Sequence, residues 1–152
     1  MDRAERDGAY SWDLVLDGRR RRALRITLIL DPAVALVCWV HFAPPMTDTF
    51  RQTYRQLLRW NDDLPFAKFA VSEDERPILT AEVPVAGLDR DVVGLLVARV
   101  LAICDLVHGP SVALIGELSR AQAKLATTAR DPAGVRLLER YAADLAELAD
   151  SV

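Results

Sequence analysis

Residues 57–88, LLRWNDDLPFAKFAVSEDERPILTAEVPVAGL, change their hydrophobic period twice, and this constrains the fold more than any other feature of the chain. Leu57, Leu58 and Trp60 continue a helical spacing begun at Phe50 and Tyr54, with Arg51, Gln52, Arg55, Gln56 and Arg59 on the wet face. Asn61-Asp62-Asp63 is expected to end that helix, because Asn tolerates the left-handed conformation common just past a helix end. Leu64-Pro65 then turns the chain into extended structure, since the residue before a proline is held out of the α region. From there the period is two. Phe69 and Val71, then Leu79, Ala81 and Val83 beyond a polar turn at 72–76 (SEDER), are the expected inward face of a hairpin. Gly87-Leu88-Asp89 opens a helix over 90–107, with Asp89 as its cap. Val92, Val93, Leu96, Val97, Val100, Leu101, Ile103 and Leu106 cover more than half of its circumference, so it is expected to be buried on several sides.

The flanks fit the same architecture. Trp12, Leu14 and Leu16 alternate up to Asp17-Gly18, a turn dipeptide. Leu24, Ile26, Leu28 and Leu30 share one face of a second strand, with Ile29 on the other. Residues 34–42 (VALVCWVHF) are apolar on both faces, which places them at the centre of a sheet. Ala43-Pro44-Pro45 ends that strand, and Thr47 or Asp48 can cap the helix that follows. Beyond His108-Gly109-Pro110, amphipathic helices are predicted over 111–128, with the stripe Val112, Ile115, Leu118 and Leu125, and over 132–149, with the stripe Leu138, Tyr141, Leu145 and Leu148. Residues 1–10 read as a flexible charged tail. The expectation is one domain over residues 1–152, α+β in class. It would have a curved antiparallel sheet of about five strands, helices packed on one face, and a C-terminal helical pair at 110–150.

A chain of 152 residues that is 51% hydrophobic and 27% charged has enough apolar surface to bury a core. Its net charge of −3 gives no overall attraction to nucleic acid or to an anionic membrane. The acids are concentrated: residues 61–91 hold eight against three bases, which predicts a weakly acidic surface around the hairpin. Cys38 and Cys104 each lie inside an apolar run and read as buried small hydrophobes. Two apolar stretches resemble membrane spans only superficially. Residues 26–42 are interrupted by Asp31-Pro32. Residues 92–107 carry Arg99 and Asp105 and fall short of the roughly 20 residues a spanning helix needs. With no apolar signal core near Met1, a cytoplasmic protein without membrane contact is expected.

Chemistry-bearing motifs are sparse. His41 and His108 have no second ligand at metal-binding spacing, so no metal or cofactor is expected. There is no G-x-S-x-G elbow and no glycine-rich phosphate loop, so the chain is read as a non-enzyme. Two places hold alternatives. The corner Trp60, Asn61, Asp62 and Asp63 is the candidate interaction site, and a pocket there would suit a small-molecule sensor or an enzyme. The basic run Arg19, Arg20, Arg21 and Arg22 is a candidate for weak nucleic-acid binding, although a solvated turn is the plainer reading and no nucleic-acid partner is expected.

The segment 57–88, followed by a long apolar helix ending in ICDLV, resembles the YbjN family of bacterial sensory transduction regulators. The residues that carry the resemblance are Leu57, Leu58, Asn61, Pro65, Phe66, Lys68, Phe69, Asp74, Leu79, Glu82, Val83, Pro84, Leu88 and Asp105, within about residues 24–108. The resemblance implies a fold like that of type III secretion chaperones, pairing into homodimers, and a binding or regulatory role without an established enzymatic activity. Related folds begin with a substantial helix. This N-terminus is too short and polar to supply one, and the C-terminal helical pair is expected to take its place.

Overall fold

The computed structural model describes residues 2–6, 9–42, 51–107 and 132–149, with side chains at 10–42, 54–107 and 132–148. Among the described residues, six strands form one open antiparallel sheet: β1 (Asp2–Arg6), β2 (Ala9–Leu16), β3 (Leu24–Leu30), β4 (Ala35–His41), β5 (Lys68–Val71) and β6 (Pro77–Pro84), in the order β1-β2-β3-β4-β6-β5. Four helices accompany them: α1 (Arg51–Asp63), α2 (Arg90–Leu106), α3 (Pro132–Arg140) and α4 (Ala142–Ala149). The chain leaves β4, runs through α1, places β5 at the sheet edge, and returns as β6 beside β4. The fold is α+β, a curved antiparallel sheet with its helices on one face.

The inner face is built as period two requires. Leu24, Ile26 and Leu28 from β3, Leu36, Cys38 and Val40 from β4, Leu79 and Ala81 from β6, and Phe69 from β5 all join one buried core. Val83 packs against that core partly buried, but Val71 is 47% exposed. Val71 has the inward parity and lacks cover, because it ends a four-residue edge strand. Helix α2 lies against this face through Leu96, Val97, Val100, Leu101, Ile103 and Cys104. Asp89 caps it, accepting from the backbone N–H groups of Asp91 and Val92, both at 2.8 Å. Helices α3 and α4 pack on α2 and add Leu138 and Leu148 to the core. Both cysteines are free and buried, and burial pushes their thiols up to about 12.

Three expectations change. Residues 1–10 are not simply a tail, because residues 2–6 form β1, paired from Asp2 opposite Asp13 to Arg6 opposite Ala9. An edge strand needs no apolar face, so its polar composition concealed it. The helix predicted over 132–149 is interrupted at Tyr141. The Asp17-Gly18 turn is not a tight hairpin. Leu16 pairs with Leu24, so residues 17–23 form a seven-residue loop, and the left-handed residue is Ala23 (φ 50°). The helix predicted over 111–128, His108, the break at 43–45 and the caps Thr47 and Asp48 lie outside the described residues.

Candidate functional site

The corner after α1 is built around Asn61. Its side-chain Nδ2 donates to the carbonyl of Phe69 at 2.9 Å, and its Oδ1 accepts from the Phe69 N–H at 2.5 Å. Phe69 lies in β5, an edge strand, so the amide stands in for the missing neighbouring strand and takes both of that residue's outward backbone groups. Lys68 completes the junction: its Nζ donates to the carbonyl of Leu64 at 2.8 Å and to that of Asn61, satisfying carbonyls at the C-terminus of α1. Trp60 is half-buried, with its ring 5.9 Å from that of Phe69, which in turn meets Phe42 edge-on at 5.2 Å. Asp62 and Asp63 are exposed.

Asn61 is therefore not the left-handed helix-ending residue expected from its type. It lies inside α1, and the only non-glycine residues with positive φ among those described are Ala23 and Glu75. Replacing Asn61 by alanine leaves the backbone N–H and C=O of Phe69 without these partners in a partly buried place. A loss of roughly 2 kcal/mol is expected. Asn61→Asp should lose nearly as much, because a carboxylate cannot donate to the Phe69 carbonyl. The doubly changed Asp62→Ala/Asp63→Ala protein should unfold within about 0.5 kcal/mol of the parent. Urea denaturation of the three variants checks this, and equal stability of Asn61→Ala and the parent would remove the strand-mimic role.

A second polar cluster, which sequence reasoning did not find, lies across Phe42 from the first. Asp105, 7% exposed near the end of α2, accepts backbone N–H bonds from Arg19 (2.6 Å), Arg20 (3.0 Å) and Arg21 (3.0 Å). The basic run is thus wrapped, through its amides, around an internal carboxylate. Arg21 turns its side chain inward: Nη2 donates to the Phe42 carbonyl at 2.7 Å and the guanidinium lies 4.6 Å from the Phe42 ring centre. Arg19, Arg20 and Arg22 face solvent. Asp17 closes the loop, its Oδ1 accepting from the Ala23 N–H at 2.8 Å. The signal that could have found this cluster was Asp105 itself, an acid in the apolar last turn of α2, where the helix dipole disfavours negative charge.

An open depression of about 400 Å³ lies away from both clusters, between the N-terminus of α2 and the α3–α4 junction. Asp89, Asp91, Arg140, Tyr141 and Asp144 are among its lining residues. Asp89 is engaged as the α2 cap, and Asp91 pairs with Arg140 at 2.6 Å. Among the described residues, no group of three or more His, Cys, Asp or Glu side chains could hold a metal ion, and no helix is long and apolar enough to cross a membrane.

These features define an α+β module whose best-placed polar side chains hold backbone. Asn61 closes a sheet edge, Lys68 a helix end, and Asp105 a loop. The chain belongs to the YbjN family: the family model, described as "Putative bacterial sensory transduction regulator", matches residues 3–107. That description is of a regulator and not of an enzyme family. No curated protein matches the chain.

Proposed function

We propose that this protein is a non-catalytic regulatory module of the cytoplasm that acts through protein contacts and works as a homodimer. The observation that carries the reading is the outer face of the sheet. All four described helices lie on the inner face. On the other face, Ile29, Val37, Trp39 and Ile78 sit half-buried at the centre, and Val15 is 54% exposed. Trp39 meets His41 with ring centres 4.9 Å apart. An apolar centre that carries a half-buried tryptophan is the composition of a protein-binding surface. The exposed Asp62 and Asp63 of the α1 corner would offer a separate polar contact.

The test combines solution mass with partner capture. Light scattering of the whole chain should give a dimer. Partners captured from the native host should be lost from Trp39→Glu and from Val37→Lys, each first shown to be folded by circular dichroism. A monomer at every concentration, together with unchanged partners for both folded variants, would overturn the proposal.

A further inference from the structure

The sheet has two edges, and they are finished differently. At β5 the outward backbone groups of Phe69 are taken by Asn61. At β1, no strand flanks the far side among the described residues. We infer that β1 is the dimer contact: two copies pair β1 against β1, antiparallel about a two-fold axis at Ala4, joining their sheets into one. This inference rests on the homodimer reading and specifies its geometry.

The sequence of the strand carries the argument. Asp2-Arg3-Ala4-Glu5-Arg6 is antisymmetric in charge about its central residue. In an antiparallel pairing centred on Ala4, Asp2 stands opposite Arg6 of the second copy, and Arg3 opposite its Glu5. Symmetry repeats both, so four opposite-charge pairs form and no like-charge pair does. Within its own sheet the strand finds no such match. Asp2 is opposite Asp13, Arg3 opposite Trp12, Glu5 opposite Tyr10 and Arg6 opposite Ala9. Charges usually protect an edge by repelling a copy. Here they repel in every other symmetric register and attract in this one.

Backbone parity selects the same register. Arg6 and Ala9 are opposed across a two-residue connection, which makes them a hydrogen-bonded pair. Alternation then makes Ala4 and Asp2 bonded to β2, and turns the N–H and C=O of Arg3 and Glu5 to the free edge. A pairing centred on Ala4 sets Arg3 against Glu5 of the second copy, so these outward groups form four backbone bonds. Shifting the axis to Arg3 or to Glu5 keeps the parity but opposes that residue to itself, like charge on like charge. Five residues a side make a small interface, so the expected dimer is reversible, with dissociation in roughly the micromolar range.

Cross-linking tests it directly. Ala4 would face its own copy in a non-hydrogen-bonded pair, with Cα atoms about 4.5 Å apart, inside the range a disulfide spans. Ala4→Cys should therefore give a disulfide-linked dimer with oxidised glutathione, and faster than Glu5→Cys, whose counterpart across the axis is Arg3. The native Cys38 and Cys104 are both fully buried and do not compete. Sedimentation should show Arg3→Glu and Glu5→Arg each weakening the dimer by roughly tenfold. The double swap Arg3→Glu/Glu5→Arg should restore it. If the parent is dimeric but Ala4→Cys links no faster than Glu5→Cys, or the single reversals leave dissociation unchanged, the β1 contact is wrong and the homodimer reading stands. A monomer up to millimolar concentration ends both.

Discussion

Replacing Asp105 by alanine is expected to lower the free energy of unfolding by roughly 4 kcal/mol, among the largest effects of any single change in this chain. The carboxylate accepts from three successive backbone N–H groups, those of Arg19, Arg20 and Arg21. Hydrogen bonds to a charged acceptor are each worth about 1.5–3 kcal/mol, and a donor left unpaired in a partly buried place carries its own penalty. The three losses do not add fully, because water can reach part of the loop once the side chain is gone. Near the end of α2 a negative charge gains nothing from the helix, so the stabilisation is owed to the loop it binds. Asp105→Asn keeps the shape but turns an NH₂ toward donors, and should lose at least half as much. Asp105→Glu has no room, because the carboxylate already stands 2.6–3.0 Å from three backbone nitrogens and a longer side chain would drive into them. Arg19→Ala and Arg20→Ala should be nearly neutral, since only their backbones are used and their side chains face solvent. Denaturant titration with an unchanged slope checks the series. A loss below about 1 kcal/mol for Asp105→Ala would show that the loop does not depend on the carboxylate.

The strands that bury one face were legible because apolar alternation and burial have the same cause. Ile26, Cys38, Val40 and Leu79 are all at 1% exposure or less on the face the pattern assigned them. Asn61 was placed at the right corner and given the wrong task. Residue type announces a turn-tolerant amide, but whether its side chain serves its own helix or a strand eight residues on depends on where β5 lies. The arginine run misled in the opposite direction. Its charge is conspicuous in the sequence, yet its amides do the binding, and every residue type has an amide. Strand β1 was missed because a strand at an edge has no obligation to be apolar. What it does show is alternating charge ahead of Asp7-Gly8, a dipeptide of the kind that joins paired strands.

Gly134→Ala is expected to destabilise the protein by about 2–3 kcal/mol, although alanine improves an isolated helix by about 1 kcal/mol over glycine. A Cβ at position 134 would stand 2.0 Å from the carbonyl oxygen of Asp17 and 2.9 Å from its carbonyl carbon. That backbone cannot give way easily. Asp17 holds the Ala23 N–H through its side chain, and Gly18 donates to the Arg21 carbonyl at 2.8 Å. Arg21 is in turn fixed on Asp105, so the helix has to move instead of the loop. Gly94→Ala, on the facing helix, should lose less. There a Cβ would meet the Tyr141 hydroxyl at 2.4 Å and two of its ring atoms at 3.1 Å, a buried side chain but not backbone, so a loss of about 1–2 kcal/mol is expected. Hydrogen exchange should show α3 and α4 loosening in Gly134→Ala while β3, β4 and β6 stay protected, because Leu138 and Leu148 leave the core with the displaced helices. The result also bears on how far the folded unit extends, since both helices lie beyond residues 3–107, which the family model matches. If Gly134→Ala is more stable than the parent, α3 does not rest on the Asp17 backbone, and the C-terminal helices are an appendage. A loss of the expected size makes the loop around Asp105 the common footing of the family fold and of the helices added to it.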